Sequence, residues 1–293
     1  MGAKIRNQTI NHFPNIKKFK SLSSRPNFAW PTVLLLVSAI FLFAIGIITY
    51  LQNSINLPIA VTLNTIASYM AFTVMHDASH NSLSRNKKFN DWCGRIATWM
   101  LLPAPFFRMF RYVHMQHHRF VNDESKDPDH YASRGSKWLL PFRWATQDIY
   151  YFFCYLDPKV FKKRPASEKR EFIIASIIGV ALLSLIVIQG WTINFLLLFV
   201  LPSRIATLIL VFGFDYLPHH PHTKSDVKKP YQAAQNRIGL EWIMTPLFLG
   251  QNYHLVHHLY PTVPFYRYVA LWHSNIEFHN SQKPAQTSIF KLS

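Results

Sequence analysis

Cysteine is nearly absent from this 293-residue chain, with Cys93 and Cys154 the only two. That excludes a disulfide framework, and it excludes a cysteine-held iron–sulfur cluster, which takes about four thiolates. Glycine is sparse too, at 9 residues, and no glycine-rich loop of the kind that cradles a dinucleotide is present. Acidic residues number 14 against 31 Lys and Arg, a formal net charge of +17. So basic a chain calls for an anionic surface. With no nucleic-acid-binding motif in the sequence, a lipid bilayer fits that role and nucleic acid does not.

Charge itself is missing from two stretches. From Asn27 to Ser84 there is no Lys or Arg and Asp77 is the only charged residue; from Phe172 to Phe214 the only one is Arg204. A helix crosses a bilayer with roughly 20 apolar residues, so each stretch is long enough to cross twice. The expected spans are 31–50, 57–75, 172–188 and 193–214, joined in two hairpins by the uncharged turns 51–56 and 189–192. Every Lys and Arg other than Arg204 then lies in 1–30, 76–171 or 215–293. By the positive-inside rule these three segments, and both termini, face the cytoplasm. The basic arm runs into a full span at Trp30-Pro31, which reads as an uncleaved anchor and not a signal peptide.

The expected fold class is therefore all-α: one integral membrane domain over 1–293, with four transmembrane helices in two hairpins plus a cytoplasmic helical cap. Two apolar portions of the cap, 96–110 and 239–251, are too short to span; the first, broken by Pro103 and Pro105, is expected to lie in the interface or re-enter, and the second leads into 254–258. Asp123–Tyr131 reads as turn chemistry. A charge inside a span is costly, so Arg204 is expected to face the bundle interior or water, where it braces the bundle or meets a polar part of the pathway. Pro202, two residues earlier, is expected to break the helix.

Histidine is what the chain does have, 15 of them. Eight fall into three clusters of similar form: His76 and His80, then His114, His117 and His118, then His254, His257 and His258. Spacings of three and four residues put side chains on one face of a helix. Imidazole ligates while neutral, so such rings can gather around a metal without burying negative charge. Eight ligands exceed what one metal takes from protein, which points to a pair. All-nitrogen ligation suits zinc, copper, nickel or iron. The clusters sit beside apolar spans where a hydrocarbon would approach, and a redox metal activating dioxygen uses both facts; iron is preferred over zinc. Asp77, Asp127, Asp129, Gln251 and Asn252 are candidate acceptors for the far side of the ligand rings. His130 is a weaker candidate, to brace the site or bond a substrate, and His12, His273 and His279 are expected to be incidental residues of the arms.

His-Asp-Ala-Ser-His (76–80), His-Met-Gln-His-His (114–118) and His-Leu-Val-His-His (254–258) resemble the three histidine boxes of the integral-membrane fatty acid desaturase and hydroxylase superfamily. The resemblance covers nearly the whole chain and implies two non-haem irons that activate dioxygen against an unactivated C–H bond. Phe-Asp-Tyr-Leu-Pro-His (214–219), Asp-Pro-Asp-His (127–130) and the run 250–266 resemble more closely the desaturase-type β-carotene hydroxylases. That implies hydroxylation of a carotenoid ring, with His219 as a further iron ligand. The chain departs from that pattern at His220 and His222, where those hydroxylases tend to have Arg and an aromatic. Assignment among His219, His220 and His222 is thus ambiguous; His219 is preferred, and the other two read as polar loop residues.

Oxidising such a bond with dioxygen takes two external electrons per turnover, and no motif here supplies them. A separate donor such as ferredoxin with its reductase is expected, docking on the basic cytoplasmic face by electrostatic steering. The alternatives are a fatty-acyl desaturase with the same fold and metals, and a non-catalytic membrane protein that transports or senses metal. Whether the attacked carbon keeps a hydroxyl or gains a double bond depends on substrate placement, which box spacing does not encode.

Overall fold

The computed structural model describes residues 16–222, 229–288 and 291. The first half of the basic arm, His12 included, lies outside them. After a short helix α1 (Ile16–Ser23), the first hairpin is α2 (Trp30–Leu51) and α3 (Leu57–Ser79). Pro31 and Pro58 sit in the first turns, where a missing N–H costs nothing. Asn56 caps α3 by accepting the Ile59 N–H at 3.1 Å. Ala60, Asn64, Ala67, Ser68 and Ala71 are buried on one face of α3, a stripe of small residues that lets helix backbones approach closely. Outward-facing residues such as Leu34, Phe41 and Ile48 are exposed; so apolar an exterior is stable only against lipid.

A polar-side segment follows, with α4 (Lys87–Thr98), α5 (Phe107–Phe120), α6 (Leu140–Ala145) and α7 (Gln147–Leu156). The second hairpin is α8 (Ala166–Ile188) and α9 (Thr192–His219). The last segment carries α10 (Glu241–Leu247), α11 (His254–Leu259), α12 (Tyr268–His273) and α13 (Ile276–Ser281). The helical class expected from the pattern holds, with a two-stranded parallel ribbon (Asn236–Ile238 with Gln286–Ser288) as the departure from all-α.

Three spans run well past the apolar runs. Helix α3 continues four residues past 75 and carries His76. Helix α8 starts six residues early, and its charged first turns make ion pairs: Arg164 with Glu168 at 2.8 Å, and Glu171 with Arg95 at 2.7 Å and Arg108 at 3.0 Å. Helix α9 continues five residues past 214 and so carries His219 on its end. The stretch 96–110 packs largely inside the protein. Ala97, Met100, Leu101, Ala104, Phe107 and Phe110 are buried in the protein core. By contrast α10 exposes Trp242, Ile243 and Leu247 as an interfacial helix does, and Tyr69 Oη donates to Leu247 O at 2.9 Å to anchor it.

Pro202 does not break α9. Lacking an N–H, it frees the carbonyl of Leu198, and the helix widens there into a π turn over Leu196–Val200. Asn64 Nδ2 on α3 donates to that carbonyl at 2.7 Å, so it is not left orphaned in the apolar region. Arg204 makes a bidentate pair with Asp148 on α7 (2.6 and 2.5 Å) and donates to Ala145 O at 2.9 Å. It braces the bundle. Arg204→Leu would leave Asp148 unpaired at the cavity wall and is expected to lower stability by about 2–3 kcal/mol, somewhat less than a fully buried pair broken on one side. The double variant Arg204→Leu/Asp148→Leu should regain most of this, as read from thermal midpoints in detergent.

Candidate metal centre

Four elements bring the histidines to one end of the bundle: the C-terminal end of α3, α5, the end of α9, and α11. The turn into α11 is fixed at Gly250, whose φ of +78° leaves no room for a side chain; a Cβ there would lie 2.6 Å from Phe265 O. All nine candidate ligands turn Nε2 inward. Nε2 to Nε2, His76 lies 3.1 Å from His257, His80 2.7 Å from His114, and His118 2.9 Å from His257. On the other side, His219 lies 3.1 Å from His254, and His258 stands 3.4, 3.2 and 3.1 Å from His117, His219 and His254.

These contacts resolve into two quartets. His76, His80, His114 and His257 form one, and His117, His219, His254 and His258 the other, each with its ligand atoms within 4.8 Å of one another. His118 stands between them, its ring centroid 4.6 Å from that of His80 and 4.5 Å from that of His258. A single proton cannot serve the three nitrogens facing His258 Nε2; one cation at their centre can. Two imidazoles at right angles on a metal with bonds of about 2.1 Å hold their nitrogens about 3 Å apart, which is the spacing here. The residues therefore fit a metal at each quartet.

Protonation agrees with this. Burial, reinforced by the neighbouring histidines, pushes His80, His114, His118 and His257 well below the usual imidazole value, and likewise His254 and His258. Their lone pairs are free at neutral pH. His117 goes the other way: burial lowers it, but Asp127 and Asp129 outweigh that and raise it to about 10. Its Nδ1 donates to Asp127 Oδ1 at 2.9 Å, with Asp129 Oδ2 at 3.3 Å. A metal at Nε2 takes the place of the second proton and leaves this bond intact.

Of the other expected acceptors, Gln251 Oε1 takes the His254 Nδ1 proton at 2.9 Å. Asp77 stands 3.9 Å from His76 Nδ1 and accepts instead from Thr32 (3.1 Å) and the Phe265 N–H (3.3 Å). Asn252 reaches no histidine and donates to Thr245 at 3.2 Å. Two partners had no sequence signal: Ala233 O accepts from His219 Nδ1 at 3.1 Å, and Tyr268 Oη holds His257 Nδ1 at 3.1 Å. His279 is no incidental residue of an arm. It is fully buried and stacks on Trp272 at 4.5 Å, where it also meets the Tyr231 hydroxyl at 3.2 Å. His273 meets Tyr253 Oη at 3.3 Å.

Among the described residues, two cavities adjoin the metal end. A narrow inner one is walled by His76, His114, His117 and His254 together with Asp129 and Asp215. An outer one, lined chiefly by apolar side chains including Met75, Leu101, Met109 and Leu210, shares Phe72, Phe110, Tyr151 and Asp215 with it. Phe110 lies parallel to His114 at 5.5 Å, and Tyr151 Oη donates to Asp129 Oδ1 at 2.5 Å. Asp215 had a sequence signal, a lone carboxylate at the end of an apolar run, four residues before His219.

A helical bundle of four membrane-length helices that converges buried imidazoles beside an apolar cavity defines a multi-pass membrane protein built around a histidine metal site. The fatty acid desaturase family model matches residues 52–287, and the chain belongs to that family. It is similar to a β-carotene ketolase of Paracoccus sp. (strain N81106 / MBIC 01143), 28% identical over 67% of this chain and 71% of the relative. It is also similar to the dihydrorhizobitoxine desaturase of Bradyrhizobium elkanii (26%, 71% and 64%) and to an sn-1 acyl-lipid omega-3 desaturase (ferredoxin) of Nostoc sp. (strain 36) (22%, 84% and 76%). The protein is thus an oxygen-dependent oxidoreductase, which sets aside the non-catalytic alternative.

Proposed function

We propose that the protein hydroxylates an end ring of a carotenoid such as β-carotene, using two irons, one per quartet, with dioxygen and two electrons from a separate donor such as ferredoxin and its reductase. One C–H bond is replaced by C–OH; the second oxygen atom leaves as water with two protons. The irons supply the activation of dioxygen. The observation carrying the reading is the apolar cavity that shares Phe72, Phe110, Tyr151 and Asp215 with the pocket walled by His76, His114, His117 and His254. Its largely apolar walls suit a hydrocarbon better than a polar headgroup.

The side chains divide the rest of the task. Phe72 and Phe110, shared by both cavities, confine the reacting carbon beside the histidines, and the buried apolar walls keep bulk water away. Tyr151 and Asp215 are the polar groups at the seam. The positive-inside pattern supports a cytoplasmic metal end with both termini on that side, where a soluble donor would reach it. The similarity to a relative named for β-carotene supports the ring substrate. Similarity of nearly the same level to acyl-lipid desaturases favours, as the second reading, insertion of a double bond into an acyl chain.

Product analysis separates the two. The gene would be expressed in a β-carotene-accumulating bacterial host with a ferredoxin reductase system, and pigments and fatty acids extracted from the same cells. Hydroxylated carotenoid is the expected result; unchanged pigment with new acyl double bonds would make the protein a desaturase. Leu210→Trp should fill the outer cavity and lower turnover at least about tenfold while metal content stays at the wild-type value, since overpacking displaces the substrate and not the histidines.

A further inference from the structure

Two imidazole rings stand outside the second quartet and take no part in it. His222 follows His219 by three residues and is 8% exposed, and its Nε2 is buried without a hydrogen-bond partner. His130 follows Asp127 and Asp129, the carboxylates that hold His117, and its Nδ1 is likewise buried and unpartnered. The two rings meet edge to face with centroids 5.7 Å apart. A buried polar atom with no partner is penalised by about 1–3 kcal/mol. Two on rings this close imply an occupant that the side chains do not provide.

The geometry says what kind. Two imidazoles on one metal, with bonds of about 2.1 Å and an angle at or somewhat above tetrahedral, place their centroids about 5–6 Å apart. Both rings are tethered to the second quartet through the backbone: the His222 N–H donates to His219 O at 2.6 Å, and the His130 N–H to Asp127 O at 3.2 Å. Around His130 the turn carries Asp123, Glu124, Asp127 and Asp129 against Lys126 and Arg134, a net negative balance that suits a cation.

We propose that His130 and His222 form a third, outlying transition-metal site, which takes one divalent ion through two imidazole nitrogens with water completing its shell. The proposal rests on reading the two quartets as a two-metal centre. His130 is partly exposed, so an ion here exchanges with solution while the quartets are sealed. The site belongs to this chain and not to the resembled pattern, because an aromatic in place of His222 has no ligand nitrogen.

The test is metal stoichiometry on the purified full chain in detergent, stripped of metal and titrated with Co²⁺, whose visible absorption reports ligation. Wild type should bind three ions per chain. His130→Gln, His222→Gln and the ring-preserving His222→Phe should each bind one fewer, with wild-type thermal midpoints. The weakest ion of the wild type should be the one a mild chelator removes first. Equal stoichiometry in wild type and all three variants overturns the outlying site, whatever the absolute count. The number left in the variants reports separately on the quartets: two supports the paired centre, one refutes it.

Discussion

A His257→Ala variant should form no detectable product and lose about one metal ion per chain. His257 is fully buried, its Nε2 lies 3.1 Å from that of His76 and 2.9 Å from that of His118, and Tyr268 Oη fixes its other nitrogen. Removing it opens the first quartet to three ligands and leaves a hole where the imidazole joined α11 to α3 and α5. Neighbouring rings cannot close in, since each is held on its own helix. Metal analysis and product assay on the same preparation check this, with His273→Ala as a control expected to behave as wild type. Full metal content and turnover in His257→Ala would remove the first quartet from the centre.

Asp127→Asn should be nearly as damaging without touching a ligand. Oδ1 of Asp127 accepts from His117 Nδ1 and from the Asp129 N–H at 2.9 Å, and Oδ2 accepts from the Asn122 N–H at 2.7 Å. An amide offers one acceptor oxygen, and its NH₂ would face a donor. The substitution also removes the larger of the two charge effects that make the His117 ring basic. Losses of this kind lower metal affinity or activity by about 10–100-fold. The loss should fall on the second quartet, so that chelator titration removes its ion far more readily than that of the first quartet. Asp129→Asn should act in the same direction but less, because its carboxylate is farther from His117 and is already engaged by Tyr151. A chelator profile indistinguishable from wild type in Asp127→Asn would show that His117 needs no such support.

Much of the fold was legible because it depends on local composition. The hairpins follow from charge-free runs, and their helices begin where Pro and Asn allow. What hydropathy misses is helix continuing past the apolar run, as in α8, whose charged first turns pair with Arg95 and Arg108. Nor does it tell how 96–110 packs, since an apolar stretch of that length reads alike whether it meets lipid or lines a cavity. At the site, Asp127, Asp129 and Gln251 carried a signal through their nearness in sequence to the boxes. Ala233 and Tyr268 did not, because a backbone carbonyl and a distant tyrosine look like any others.

The sequence by itself determined which residue types are present to hold a metal and which of them share a helical face, because helical periodicity is a local property of the backbone. How the boxes are divided was decided only by the tertiary structure. Neighbours such as His117 and His118, or His257 and His258, diverge by about 100° around their helix, and so they turn toward different quartets or the seam between them. Each quartet is closed by a ring from far along the chain: His257 beside His76, and His219 beside His117 and His254. The same holds for Asn64, whose amide satisfies the carbonyl that Pro202 frees 134 residues away. Such pairings arise from the packing of whole helices against one another, and no spacing within one segment can encode them.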